Sequence, residues 1–273
     1  MSTSSAAELG TVLGVWAHPD DEVYLSGGLM ALAADAGNRV VCVTATAGEH
    51  GTADPDRWPP DRLAAVRTHE LRASLAVLGV TEHRFLGLPD GACADQPARP
   101  VVSRLAALIG EVRPDTIVTF APDGFTGHGD HRTVSRWTTA ARALAAPGAR
   151  LLHTAVTQEF LDRWQAVYER LDIFVGGLPV RTPRDRLSLH LSLSPAPADR
   201  KLVALRAQAT QTAGLVAVLG EDTMRDWCAE ESFIDADEVA GSTPTSAWPA
   251  PAPRDLAEPV TAQLRHGAAT GRS

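Results

Sequence analysis

Thr11-Val12-Leu13-Gly14-Val15-Trp16 runs directly into Ala17-His18-Pro19-Asp20-Asp21-Glu22, and the junction of these two stretches decides how the rest of the chain reads. The first stretch is apolar and strand-like. The second places a histidine and three carboxylates at the strand's end, just before an apolar segment with helical spacing. Charged groups gathered there are costly to bury unless something of opposite charge sits among them, and a divalent metal is the simplest occupant. His18 and Asp21 are three residues apart, so a helical turn starting here projects both to one side. Asp20 lies between them and points elsewhere, free to take a proton from water. The competing structural reading is an N-cap, in which an Asp accepts from the orphan N–H groups of a helix start.

A second stretch has the same character. Gly127-His128-Gly129-Asp130-His131 follows the apolar run Thr116-Ile117-Val118-Thr119-Phe120 and again opens a helix. His131 would complete a His/Asp/His set with His18 and Asp21. Three protein ligands with an open fourth position distinguish catalytic zinc from closed structural zinc. Such ligands suit several divalent ions, so Zn2+ is expected and Fe2+ is the alternative. His128 and Asp130 are candidates for the other half of the site, the first as an oxyanion donor and the second to orient a histidine.

The pattern between and beyond these stretches alternates strand and helix. Strands are predicted over 11–16, 39–46, 82–86, 115–120 and 151–157, and helices over 23–36, 62–78, 100–112 and 131–146. An amphipathic segment then runs to Leu171. This is the pattern of an α/β, doubly wound, mostly parallel sheet with helices on both faces and functional loops at the carboxyl edge of the strands. After Gly176-Gly177 the alternation weakens. Residues 186–193 alternate strictly and predict an antiparallel strand, followed by one helix from Ser194-Pro195 to about Leu219. The expected organisation is a leader over 1–10, a single domain over 11–239 and a Pro/Ala-rich, loosely packed tail over 240–273.

Composition narrows the function classes. With a net charge of −8 the chain has no excess of basic residues for nucleic acid or anionic lipid. Cys42, Cys93 and Cys228 are too few and too widely spaced for a disulfide framework or a C-x-x-C zinc site, and read as buried free thiols. No apolar run reaches the length of a membrane span, and the first residues lack the pattern of a signal peptide. A cytoplasmic protein with a small-molecule partner is expected, with no nucleic acid and no membrane; homo-oligomerisation stays open.

The A-H-P-D-D-E run at Ala17 to Glu22 resembles the signature of the LmbE-like, PIG-L-type zinc N-deacetylases. The similarity continues through Thr46-Ala47-Gly48-Glu49-His50-Gly51, Arg67 and Glu70 with Leu78-Gly79-Val80, and Leu86-Gly87-Leu88-Pro89-Asp90-Gly91. Further on it includes Arg113-Pro114-Asp115, the His128-to-His131 stretch, and Lys201 with Ala204-Leu205 and Thr210-Gln211, so that it spans roughly residues 11 to 235. The resemblance implies a Rossmann-like fold and Asp20 as general base. It also implies His18, Asp21 and His131 as metal ligands, and hydroxyl recognition by Glu49, Arg67 and Asp90. A helix-face ion pair with Glu70 is the competing reading of Arg67. His128 is expected to act as a protonated imidazole. Two departures stand out: Gly129 replaces a proline common in the family, and Phe125, Thr126 and Gly127 stand where a tyrosine is common. The implied activity is removal of an acetyl group from the amine of an N-acetylglucosamine-containing small molecule, a thiol-sugar or antibiotic precursor. An amidase cleaving thiol-sugar conjugates is the alternative, and a non-catalytic sugar binder a remote one.

Overall fold

The computed structural model describes residues 6–171, 174 and 179–239. Gly176, Gly177 and the expected tail over 240–273 lie outside the described residues. Among the described residues, seven strands are found: β1 (Val12–Trp16), β2 (Val40–Thr46), β3 (Glu82–Leu88), β4 (Thr116–Thr119), β5 (Arg150–Ala155), β6 (Leu189–Ser192) and β7 (Glu230–Asp235). They form one sheet in the order β3-β2-β1-β4-β5-β7-β6. The first five are parallel, as the crossover helices between them require. β7 runs antiparallel to β5, and β6 antiparallel to β7.

The helices are α1 (Asp21–Asp35), α2 (Pro60–Leu78), α3 (Ala98–Val112), α4 (Gly129–Ala145), α5 (Gln158–Arg163), α6 (Gln165–Leu171), α7 (Pro195–Ala207), α8 (Ala209–Leu219), α9 (Glu221–Trp227) and α10 (Ala236–Val239). α1 and α2 pack with α7, while α3 packs on α4. Every residue of β1, β2 and β4 is buried, as continuous apolar runs covered on both faces demand. α2 ends where Gly79 adopts φ 82, the left-handed stop expected at that position.

Three expectations are corrected. The leader is packed in its second half: Ala6 and Leu9 are buried, and Thr116 donates its hydroxyl to the Leu9 carbonyl. The long helix from 195 is broken at Gln208, whose side chain turns inward to Glu22 at 2.6 Å. Thr212 then donates its hydroxyl to the Leu205 carbonyl that the break releases. The strand over 186–193 is trimmed to β6 because a 3-10 turn takes Arg184–Arg186.

β7 escapes sequence reading because acidic Glu230 and Glu231 open it. Glu231 is fully buried and pairs with Lys201 at 2.6 Å, while accepting the N–H groups of Gly28 and Leu29 at 2.6 and 2.8 Å. One ion pair thus ties β7 and α7 to α1, the helix that opens with Asp21. Removing one partner of a buried pair strands the other charge, at a cost of about 3–5 kcal/mol. Lys201→Met is therefore expected to lose about that much stability in urea unfolding.

Strand order reverses between β1 and β4, and the crevice beyond their carboxyl ends is where such sheets bind ligands. Both histidine-bearing stretches of the sequence emerge there.

Candidate active site

Asp20, just ahead of α1, is held at φ 109, a conformation few non-glycine residues adopt. Its side chain makes no capping hydrogen bond, so the N-cap reading does not account for it. Two side chains fix the strained turn. Glu22 accepts the Asp20 backbone N–H at 2.9 Å. Arg67, on α2, donates to the carbonyls of Pro19 and Gly48 at 2.5 and 2.8 Å and stands 3.4 Å from the Asp20 carboxylate. Arg67 is buried, and Glu70 instead takes the N–H and hydroxyl of Thr210. The helix-face pair between them is absent. Gly48 is needed at this crossing, since a Cβ there would lie 2.2 Å from Arg67 Nη1 and φ is +66.

His18, Asp21 and His131 converge. His18 Nδ1 and His131 Nε2 are 3.2 Å apart, and Asp21 oxygens lie 3.3 Å from His131 Nε2 and 3.5 Å from His18 Nδ1. Ligands arranged tetrahedrally at about 2.0–2.1 Å from one ion are about 3.3 Å from each other, so these separations fit a shared cation. The outer nitrogens of both rings are committed elsewhere. His18 Nε2 faces Asp130 Oδ2 and Asp90 Oδ1, each at 3.1 Å, and His131 Nδ1 faces the Gly124 carbonyl at 3.0 Å. With each ring donating outward, two lone pairs point at one another across 3.2 Å, and only a proton or a metal ion between them relieves the repulsion. Without a metal the proton sits on His18. Burial alone would lower the pKa of that ring, but hydrogen bonds to Asp130, Asp21 and Asp90 override it and raise the value. Burial holds His131 down at about 4. Asp21, despite burial, is held near 2 by the adjoining His131 and His18 imidazoles and by the His18 backbone N–H it accepts at 2.8 Å.

Among the described residues, two further groupings, His18 with His128 and His131 and His18 with Asp90 and Asp130, are also close enough to hold an ion. Asp130, however, already accepts the N–H groups of Gly91 and Cys93 at 2.8 and 3.0 Å as well as facing His18. That fills the carboxylate's capacity and makes it a brace that orients the ring. Glu49 and Asp90 are likewise engaged with the framework. Glu49 accepts the Asp90 N–H at 2.9 Å, and Asp90 accepts the His50 N–H at 2.9 Å.

His128 caps α4, its Nδ1 accepting the Asp130 N–H at 3.2 Å, with its ring centroid 4.9 Å from that of His18. Burial and the neighbouring His18 charge lower its pKa, which disfavours the imidazolium expected from the sequence. With Nδ1 accepting, Nε2 is the ring nitrogen left to donate. Asp20 differs from Asp21: burial pushes its carboxyl up to about 7, against the pull of Arg67.

Sequence reasoning assigned no role to Glu22 or Gln208. Glu22 is fully buried, and burial pushes its carboxyl up to about 8. Its presence within a charged run at a strand end was the available signal. Sequence reasoning also missed the walls of a cavity of about 230 Å³ that adjoins Asp20, Asp21 and His131 and extends toward the end of β5, past Tyr24, Phe160 and Trp227. Glu49, Arg67 and Asp90 are not among its walls.

A 1D-myo-inositol 2-acetamido-2-deoxy-alpha-D-glucopyranoside deacetylase of Kineococcus radiotolerans is 40% identical over 208 residues, covering 65% of this chain and only 55% of that protein. The Saccharomonospora viridis protein of the same description is 33% identical over 236 residues, covering 73% of this chain and 84% of the relative. Among solved structures, the N,N'-diacetylchitobiose deacetylase from Pyrococcus horikoshii shares the fold, with a TM-score of 0.59, 21% identity and coverage of 86% of this chain and 87% of that one. Residues 13–142, which carry β1, β4 and both histidine-bearing loops, match the model described as PIG-L: GlcNAc-PI de-N-acetylase, and the chain belongs to that family.

Proposed function

We propose that this protein is a metal-dependent N-deacetylase that hydrolyses the amide of an N-acetylglucosamine-containing small molecule. The observation that carries the reading is the pair of inward-facing imidazole nitrogens with Asp21 beside them, next to a strained carboxylate that neither caps a helix nor pairs closely. His18, Asp21 and His131 would hold the ion, with zinc favoured by the nitrogen-rich ligand set. A divalent ion bound there polarises an amide carbonyl and acidifies water.

The remaining chemistry belongs to the chain. Asp20 takes a proton from the attacking water as the C–O bond forms, then passes it to the departing nitrogen as the C–N bond breaks, leaving acetate and a free amine. Its pKa, raised by burial, makes it a better base than an exposed carboxylate. Arg67 and Glu22 fix its aim rather than touching substrate. His128 Nε2–H is the candidate donor to the developing oxyanion. Glu49 and Asp90 border the side of the site where sugar hydroxyls would bind. The three cysteines are buried and free, in accord with action in a reducing cytoplasm.

Asp130 positions His18, so Asp130→Asn is expected to weaken metal affinity about 10–100-fold, measured by competition with a chromogenic chelator. The activity itself is tested by amine release from N-acetylated sugars with metal-loaded protein. Release of acetate and amine in equal amounts supports the reading. Full metal occupancy with every N-acyl sugar left intact would overturn it.

A further inference from the structure

The cavity beside the metal-ligand cluster is larger than deacetylation requires. Its floor is Asp20, Asp21 and His131, so whatever fills it lies next to the reacting amide. An acetyl methyl would fill only a small part of about 230 Å³. The walls come from Tyr24, Phe125, Phe160, Tyr168, Leu215 and Trp227, and most of the surface turned inward is apolar.

Much of the polar capacity in the wall is already committed. Glu231 is committed to Lys201 and to two backbone N–H groups. Glu230 pairs with Arg163, Ser232 with His190, and Gln211 donates to the Gly51 carbonyl. Among the described residues, the wall offers two buried hydroxyls without a partner, those of Tyr24 and Thr154.

We propose that this cavity takes an apolar substituent of the substrate, an aryl or alkyl group carried by the N-acylated sugar, in preference to a polyol. A polyol brings a hydroxyl on nearly every ring carbon, and walls that are mostly apolar leave many of these unpaired once buried. An aryl or alkyl group has no such deficit and gains from contact with the aromatic walls. The substituent has two sources on one sugar, the acyl side of the amide or the glycosidic position. The inference rests on the deacylase reading above for the identity of the reacting group.

The test compares kcat/KM for N-acetylglucosamine, its 1-O-phenyl and 1-O-octyl glycosides, N-hexanoylglucosamine and inositol-linked N-acetylglucosamine. One of the apolar positions is expected to raise kcat/KM about tenfold or more over the unsubstituted sugar, chiefly through KM. The position that gains identifies the source. Leu215→Asn and Phe160→Ser, two separate changes in the wall, should shrink the ratio of substituted to unsubstituted kcat/KM toward one. Equal values across the panel, or the highest value for the inositol-linked sugar, would overturn the proposal. Binding of the amine products to metal-free protein, read by tryptophan fluorescence, separates the two readings. Tighter binding of the phenyl glycoside than of the inositol-linked amine supports the cavity assignment even if no amide is cleaved. Cleavage of N-acetylglucosamine without either preference removes the cavity assignment and leaves the deacylase.

Discussion

Asp20→Asn is expected to keep the fold and the metal while losing about 10²–10⁴ in kcat, the usual contribution of a positioned general base. Asparagine tolerates positive φ about as well as aspartate, so the strained turn at φ 109 survives the change. The contact with Arg67 is long, at 3.4 Å, and the anchors of the turn are the Pro19 carbonyl and the Asp20 backbone N–H, which the substitution leaves alone. What is lost is the ability to accept a proton. The measurement pairs single-turnover rates with metal analysis and melting curves on the same preparations. A variant within tenfold of the wild type would assign the base elsewhere.

His131→Ala should have the other large effect, through binding rather than proton transfer. It deletes one of the two facing nitrogens and leaves His18 and Asp21 too few to hold the ion. Metal at about 1,000 times its Kd stabilises a folded protein by about 4 kcal/mol, which for a chain of this size raises Tm by about 8–16 °C. The wild type is expected to show that rise on adding zinc, and His131→Ala to show neither the rise nor turnover. A variant that retained the thermal response would move the ion to His18, Asp90 and Asp130, a grouping in reach that does not use His131.

The parallel core was legible because its strands are continuous apolar runs and its helices carry local stop signals such as Gly79. The metal-ligand candidates were legible because histidines and carboxylates cluster at two strand ends, where charge is costly to bury. Beyond Leu171 local signals found β6 but missed a helix break and β7. Gln208 breaks a helix that composition favours because Glu22, 186 residues away, needs a donor. β7 carries a buried Glu231 because Lys201, on another element, neutralises it. Neither partner is visible in a sequence window.

The sequence by itself determined the doubly wound architecture and the two loops that carry the histidines, since spacing and hydrophobic period are local properties. Only the tertiary structure decided that Arg67 braces Asp20 instead of pairing with Glu70, that protonation of His128 is disfavoured, and that an apolar cavity opens beside the ligands. Each of these depends on groups far apart in the chain meeting at one place, where burial and neighbouring charge set what a side chain can do.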